Sequence, residues 1–383
     1  MTRTLRVIID QILAPVPGGI GRYAEELTRA LIATAAPGSS VVGIVSASRP
    51  RDDARIAERL PGLDELLKTR LARRELSAAW QHGFGHAPGT GTIHATSLLA
   101  PLSARPRGEQ RRRTGTAVTI HDAVPWTHPE TLTPRGVSWH KAMAKRAERY
   151  ADAIVVDTHA VADEIGRILN VGERLRVIPA AVSDSLRLPK DSEERAARLA
   201  LPGRYLLSVG TLEPRKGIEP LIRSLVELPD DLPLLIVGPA GWGAIDADKI
   251  ARDVGLAEGR VRTLGRLSDE DLAVALDRAS VFIFPSLAEG FGLPLLEAFS
   301  LGTPVVHSDD PALVENAAGA GISVERADAA GYPMRLAEAI GQVLSDDDLA
   351  AGMRSAGLDR VKDFSWNDSA EKVWRLHEEL SQS

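Results

Sequence analysis

The chain has 383 residues, enough for two domains that each bury a core of their own. Its 44% hydrophobic content is that of a globule, no apolar run approaches the ~20 residues of a membrane span, and the lack of cysteine excludes disulfides and thiolate metal sites. The net charge of -6 hides an asymmetry: residues 1–180 carry 25 Lys and Arg against 18 Asp and Glu, whereas residues 181–383 carry 21 against 34. That balance, with no recognisable nucleic-acid motif, argues against a nucleic-acid partner.

From the N-terminus, Met1 to Asp10 puts only a short strand-like run after its basic residues, so no secretory signal is expected. A cysteine-free chain suits a reducing compartment, and a cytoplasmic location is expected. Strand-like runs Leu5–Ile9, Val41–Val45, Ala117–Ile120, Ala153–Val156 and Arg176–Ile178 alternate with helical stretches such as Arg22–Ile32 and Trp139–Tyr150. The rhythm restarts after the polar segment Asp184–Leu201, with Tyr205–Val209, Pro233–Val237, Val261–Leu264, Val281–Phe284 and Pro304–His307. Alternation of this kind predicts parallel α/β sheets, and hence two Rossmann-like domains facing a cleft, over residues 1–185 and 200–365. A last amphipathic helix is expected at Asn367–Leu380, within the tail 366–383.

In the first half, Pro17-Gly18-Gly19-Ile20-Gly21-Arg22-Tyr23 is expected to precede a helix, so that the amides at Gly19 and Gly21 reach a diphosphate. Gly19 to Ala24 also spells the dinucleotide pattern G-x-G-x-x-A. That pattern must follow its strand at once and needs an acid about 20 residues later, and neither condition holds, which argues against an NAD-dependent oxidoreductase. Basic residues gather in Arg49 to Arg59, Lys68 to Arg74 and Arg105 to Arg113. They could lean on anionic lipid at about 1 kcal/mol each, bind a phosphate-bearing acceptor, or form solvated faces. His121 closes the strand run Thr116-Ala-Val-Thr-Ile; Asp122 beside it is either a helix cap or an acceptor contact. His94, Thr96, Ser97, Trp126 and His128 could line an acceptor groove, with packing the competing role for Trp126.

In the second half, Tyr205 to Gly210 feeds Thr211-Leu-Glu-Pro-Arg215-Lys216-Gly217, two adjacent cations at the carboxyl end of a parallel strand. A planar fork and a point charge there suit a diphosphate; the competing role is a solvated basic turn. Strands also end at Val237-Gly238-Pro239 and Leu264-Gly265-Arg266-Leu267. Asp246-Ala-Asp248 spells D-x-D but leads into a helix-like run, so the acids are assigned to a helix N-terminus and no metal is expected. Finally, Glu289 and Glu297 bracket Gly290-Phe291-Gly292-Leu293-Pro294, a loop and helix start that Gly302 closes. Backbone amides there fit a phosphate, and the carboxylates, which only accept, fit sugar hydroxyls; together they describe a sugar nucleotide. The alternative is that Glu289 closes a turn and Glu297 serves the helix dipole.

The run from Pro285 to Ala298 resembles the signature of family 4 glycosyltransferases, retaining enzymes of the GT-B fold. The resemblance implies that Glu289 holds donor-sugar hydroxyls, Glu297 the nucleotide ribose, Arg215 and Lys216 the diphosphate, and that His121 is the active-site histidine. It implies that the base lies near Gly238 and Arg266, and that the tail turns at Phe364-Ser365-Trp366 to cross back onto the first domain. Many members carry Arg where this chain has Thr211, and Gly210 to Gly217 resembles a subgroup of bacterial polysaccharide mannosyl- and rhamnosyltransferases. The donor expected first is GDP-mannose, the acceptor a hydroxyl of a glycan or lipid-linked molecule, with no cofactor; peripheral contact with the inner membrane face is one of the readings open to the basic runs. A sugar-nucleotide epimerase of the same fold and a non-catalytic sugar-nucleotide-binding subunit are the alternatives.

Overall fold

The computed structural model describes residues 3–14, 18–104, 115–229, 232–241 and 245–382. The basic run Arg105 to Arg113 lies outside the described residues. Among the described residues, seven parallel strands form the first sheet: β1 (Arg3–Ile8), β2 (Ser39–Val45), β3 (Glu65–Lys68), β4 (Thr92–Ala95), β5 (Thr116–Thr119), β6 (Ala153–Val156) and β7 (Leu175–Val177). Their order is β3-β2-β1-β4-β5-β6-β7. Six parallel strands form the second: β8 (Leu206–Val209), β9 (Leu234–Val237), β10 (Val261–Gly265), β11 (Val281–Phe284), β12 (Val305–Ser308) and β13 (Ile322–Val324), in the order β10-β9-β8-β11-β12-β13. Both are Rossmann-like, with the reversal of strand order between β1 and β4 and between β8 and β11.

The central strands are legible because helices cover both faces of a parallel sheet, so each strand reads as one apolar run. β9 (Leu-Leu-Ile-Val) and β11 (Val-Phe-Ile-Phe) are buried at every position. β3, β4 and β13 go unpredicted for the converse reason. β3 is an edge strand flanked by Glu65 and Lys68, β4 alternates Thr92 and His94 with Ile93 and Ala95, and β13 has only three residues.

By internal contacts the chain forms two units, one of residues Met1–Thr127, Thr133–Ala180 and Ser365–Ser383, the other of His128–Leu132 and Ala181–Phe364. The tail therefore returns to the first unit as the helix Trp366–Gln382, which packs on the helix Gly18–Ala33 and buries Ala370, Val373 and Leu376. Trp374 Nε1 donates to the Leu31 carbonyl at 3.3 Å and the Ser369 hydroxyl to the Pro179 carbonyl at 2.7 Å. Arg3 pairs Glu378 at 2.6 Å. One expectation is corrected here: Gly19 and Gly21 do not precede the helix but lie in the first turn of Gly18–Ala33. Among the described residues no helix is long and apolar enough to cross a membrane.

Candidate active site

In the second unit, the loops after β8 and β11 leave the sheet side by side at its reversal point. The first folds as a single turn, Pro214–Lys216, ended by Gly217 in the left-handed conformation (φ +65°) before the helix Ile218–Ser224. A side chain at Gly217 would meet the Pro285 carbonyl oxygen at 2.1 Å, so the two loops are in backbone contact there. Leu287 N–H donates to the Arg215 carbonyl at 2.7 Å, which fixes their register.

This contact brings Arg215, Lys216 and Glu289 together. Lys216 Nζ lies 2.5 Å from Glu289 Oε1, and Arg215 Nη1 lies 3.4 Å from Glu289 Oε2 while donating to the Ala288 carbonyl at 2.9 Å. Glu213 stands 3.7 Å from Arg215. The Lys216 ammonium also sits 5.5 Å from the centre of the Phe284 ring, a cation–π distance. Glu289 keeps 8% of its side-chain exposure and Lys216 13%. Burial opposes ionisation of Glu289, yet the adjacent Lys216 and Arg215 cations outweigh it and hold the carboxyl below its ordinary range. A carboxylate has about four acceptor positions, so Glu289 can serve both cations and still accept from hydroxyls.

The Glu289 backbone is held by a residue that sequence reasoning missed. Its N–H donates to Asp310 Oδ2 at 3.3 Å, while Asp310 Oδ1 caps the helix Pro311–Ala317 by accepting from Ala312 N–H at 3.0 Å and Leu313 N–H at 3.4 Å. Burial pushes the Asp310 carboxyl up to about 6, against the pull of Arg326. Arg326 pairs Asp309 at 2.9 Å and Asp310 at 3.6 Å. The signal was present in Ser308-Asp-Asp-Pro311, because an Asp before a Pro at the first helical position is an N-cap pattern.

Gly292 is the N-cap of the helix Leu293–Ser300, with Pro294 in its first turn and Gly302 just beyond its end. Gly290 is buried, and the buried Phe291 packs edge-on against Phe364 at 5.9 Å, while its carbonyl accepts from Asn316 Nδ2 at 2.6 Å. Glu297 lies on that helix, 4% exposed. Gly238 ends β9, where a Cβ would stand 2.0 Å from the Gly210 carbonyl oxygen, so close backbone packing by itself requires glycine there. Arg266 follows β10 and is exposed. Asp246 caps the helix Ala247–Asp253, accepting from Lys249 N–H at 2.8 Å.

The first unit holds a cavity of about 400 Å³, lined by Gln11, Arg73, Ser97, His121, Asp122 and Trp126 among others. His121 stands two residues past β5, largely buried, with its ring edge-on to Tyr23 at 4.7 Å. Nδ1 is 2.7 Å from Asp157 Oδ2 and Nε2 is 2.9 Å from the Thr96 carbonyl oxygen. Both ring nitrogens are thus committed to protein acceptors. Asp122 lines the cavity and accepts from the N–H of Val124, the first residue of the short helix Val124–Thr127, at 3.1 Å. His94 is not a lining residue: it is fully buried, 3.2 Å from His377 of the terminal helix. His128 belongs to the second unit, where burial, opposed by Glu130 and assisted by Arg326 and Arg215, lowers its pKa. Of the basic segments, Lys68 pairs Asp53 at 2.5 Å, Arg59 pairs Glu25 at 3.2 Å and Arg73 pairs Asp10 at 2.9 Å, so part of their charge is compensated.

Comparison with known proteins agrees with this fold. The Glycosyltransferase Family 4 model matches residues 17–186, and that of the glycosyl transferases group 1 matches residues 190–360. The O-antigen chain mannosyltransferase B of Escherichia coli is 32% identical over 261 residues, covering 65% of this chain and 66% of the relative. Further relatives are matched over only 25% to 57% of their own lengths. Among solved structures, sucrose-phosphate synthase from Thermosynechococcus elongatus superposes with a TM-score of 0.73 at 23% identity, over 99% of both chains. HepE of Anabaena in complex with UDP and glucose gives 0.72 at 17% identity, over 98% of this chain and 99% of that one. With the two family domains placed one on each sheet, the chain belongs to the family 4 glycosyltransferases of the GT-B fold.

Proposed function

We propose that the protein is a retaining glycosyltransferase that moves a hexose, mannose from GDP-mannose as the leading case, to a hydroxyl of a glycan or lipid-linked acceptor. The observation that carries this is the joining of Arg215, Lys216 and Glu289 where the strand order of the second sheet reverses. Two cations at that point meet a diphosphate, and an ionised Glu289 accepts from donor-sugar hydroxyls. Glu297 on the following helix takes the ribose, Gly290 to Leu293 bring backbone close to the phosphates, and the ends of β9 and β10 at Gly238 and Arg266 take the base. HepE, bound to UDP and glucose, supports a nucleoside-diphosphate donor, and the mannosyltransferase relative supports mannose.

Arg215 and Lys216 neutralise charge on the departing diphosphate, so no metal is assigned to this step and turnover should persist in chelator. No protein nucleophile is assigned: the leaving phosphate takes the acceptor proton as the new bond forms on the same face. The acceptor is assigned to the first-unit cavity beside His121 and Trp126, and the basic segments of that unit to peripheral contact with anionic membrane, which vesicle flotation with and without anionic lipid would test.

Thermal-shift screening of nucleotide sugars tests the donor, because a ligand at 100 times its dissociation constant adds about 2.7 kcal/mol. GDP-mannose should give the largest shift and, with no acceptor, slow release of GDP. A changed sugar still attached to its nucleotide would identify an epimerase instead, and binding with no turnover even in the presence of acceptor a non-catalytic subunit.

A further inference from the structure

We infer that Asp157 is a positioning residue for His121: its buried carboxylate holds the imidazole as a cation, so that His121 serves the site as a fixed charge and not as a base. Asp157 follows β6, and His121 follows the neighbouring β5, so parallel pairing of the two strands delivers both residues to the same end of the sheet. A carbonyl oxygen only accepts, so Nε2, 2.9 Å from the Thr96 carbonyl, carries a proton. Nδ1 is 2.7 Å from Asp157 Oδ2, a separation that needs a proton between them. With the carboxylate ionised, the ring carries both protons and no bare nitrogen remains.

Burial raises the Asp157 carboxyl above its ordinary value against the pull of His121, and the other neighbours of the ring favour the ionised pair. Thr96 contributes a carbonyl from the end of β4, Asp122 a second negative charge from the loop after β5, and the helix Gly18–Ala33 the uncharged Tyr23 ring. The terminal helix brings Trp366 against Tyr23 at 5.6 Å. Burial opposes charge on the ring, but Asp157, its hydrogen bond, the Thr96 carbonyl and Asp122 outweigh it and raise the His121 pKa. Asp157 is 3% exposed, and a neutral ion pair of this kind survives burial where either charge alone would not. The ring lines the first-unit cavity, so a fixed positive charge there faces whatever the cavity holds.

Resting on the transferase assignment above, the inference separates from it by a spectroscopic test. Imidazole ¹⁵N spectra of the wild-type chain should show both His121 nitrogens protonated at pH 7.5, with the resonances assigned by loss in His121→Asn. Asp157→Asn removes the counter-charge at constant shape; His121 should then be neutral at pH 7.5 and donor turnover should fall roughly 100-fold. A neutral His121 ring in the wild type overturns the inference even if the variant fails to fold, and so does unchanged turnover in a folded Asp157→Asn. Wild-type protein that consumes no donor refutes the transferase assignment and the catalytic part of this inference with it, while the spectra still decide the ion pair.

Discussion

Lys216 Nζ and Glu289 Oε1 lie 2.5 Å apart although 73 positions separate them in the chain, and their contact ties the loop after β8 to the loop after β11. Lys216→Ala leaves Glu289 largely buried with the longer Arg215 contact, 3.4 Å, as its remaining ion pair among the described residues. Breaking such a pair costs about 3 kcal/mol, the low end because one cation remains. The stability that Glu289 derives from its cations is present above the ordinary carboxylate value, about 4.5, and is lost as pH falls through its lowered folded value. Chemical denaturation of Lys216→Ala at pH 7 should show this loss, and thermal shift should show weakened donor binding. Unchanged turnover in that variant would sink the diphosphate assignment.

Gly217→Ala tests whether backbone contact between the same two loops matters apart from charge. Its φ of +65° disfavours any side chain, and the new Cβ would stand 2.1 Å from the Pro285 carbonyl oxygen. Strain of this kind costs on the order of 1–3 kcal/mol before the loops move apart. The variant should unfold at lower denaturant and bind donor more weakly, with Lys216 and Glu289 intact. Wild-type stability would show that the loops can separate freely.

Asp310→Asn should behave oppositely. The folded carboxyl is raised to about 6 from 3.8 by burial, so its protonated form is favoured in the fold; that stability is full below 3.8 and is lost as pH rises through 6. A shift of this size corresponds to about 3 kcal/mol. Asn keeps one oxygen for the helix cap and carries no charge, but its amide nitrogen cannot accept from Glu289 N–H or pair with Arg326. The variant is therefore expected to lose the slope between pH 4 and 6 whatever its stability offset, which denaturation at several pH values would measure. If the slope persists, Asp310 is not its source.

What could be read from the chain follows the physics of each element. β9 and β11 announce themselves because burial on both faces demands unbroken apolar runs, and the turn at Pro214 to Gly217 announces itself because left-handed backbone demands glycine. Lys216, Arg215 and Glu289 could be named because each sits where a strand ends, but their mutual contact could not: it depends on strand order, with β8 beside β11, which no local pattern encodes. Asp157 was invisible for the same reason, since only the pairing of β5 with β6 sets it against His121. His94 misled because a polar residue in Thr-Ile-His-Ala reads as a site residue, whereas its partner, His377, arrives from 283 positions away.

That histidine pair gives the terminal helix a pH dependence of its own. His94 Nδ1 and His377 Nε2 are 3.2 Å apart, with 0% and 4% exposure, and neither outer nitrogen has a hydrogen-bond partner. Burial holds His94 down to about 4, and burial with the neighbouring His94 holds His377 well below its ordinary value. Both rings are neutral in the fold, so their contribution is present above about 6.5 and is lost as pH falls toward 4, a difference of about 3 kcal/mol for His94 alone. The first amides to lose protection on acidification should be those of the helix Trp366–Gln382, which hydrogen exchange at pH 7 and pH 5 would follow, after correction for the intrinsic rates. Replacing the pair by leucines removes both titrations. The gap in stability between wild type and His94→Leu/His377→Leu should widen against the wild type from pH 7 to pH 5; a gap independent of pH would place the acid sensitivity elsewhere.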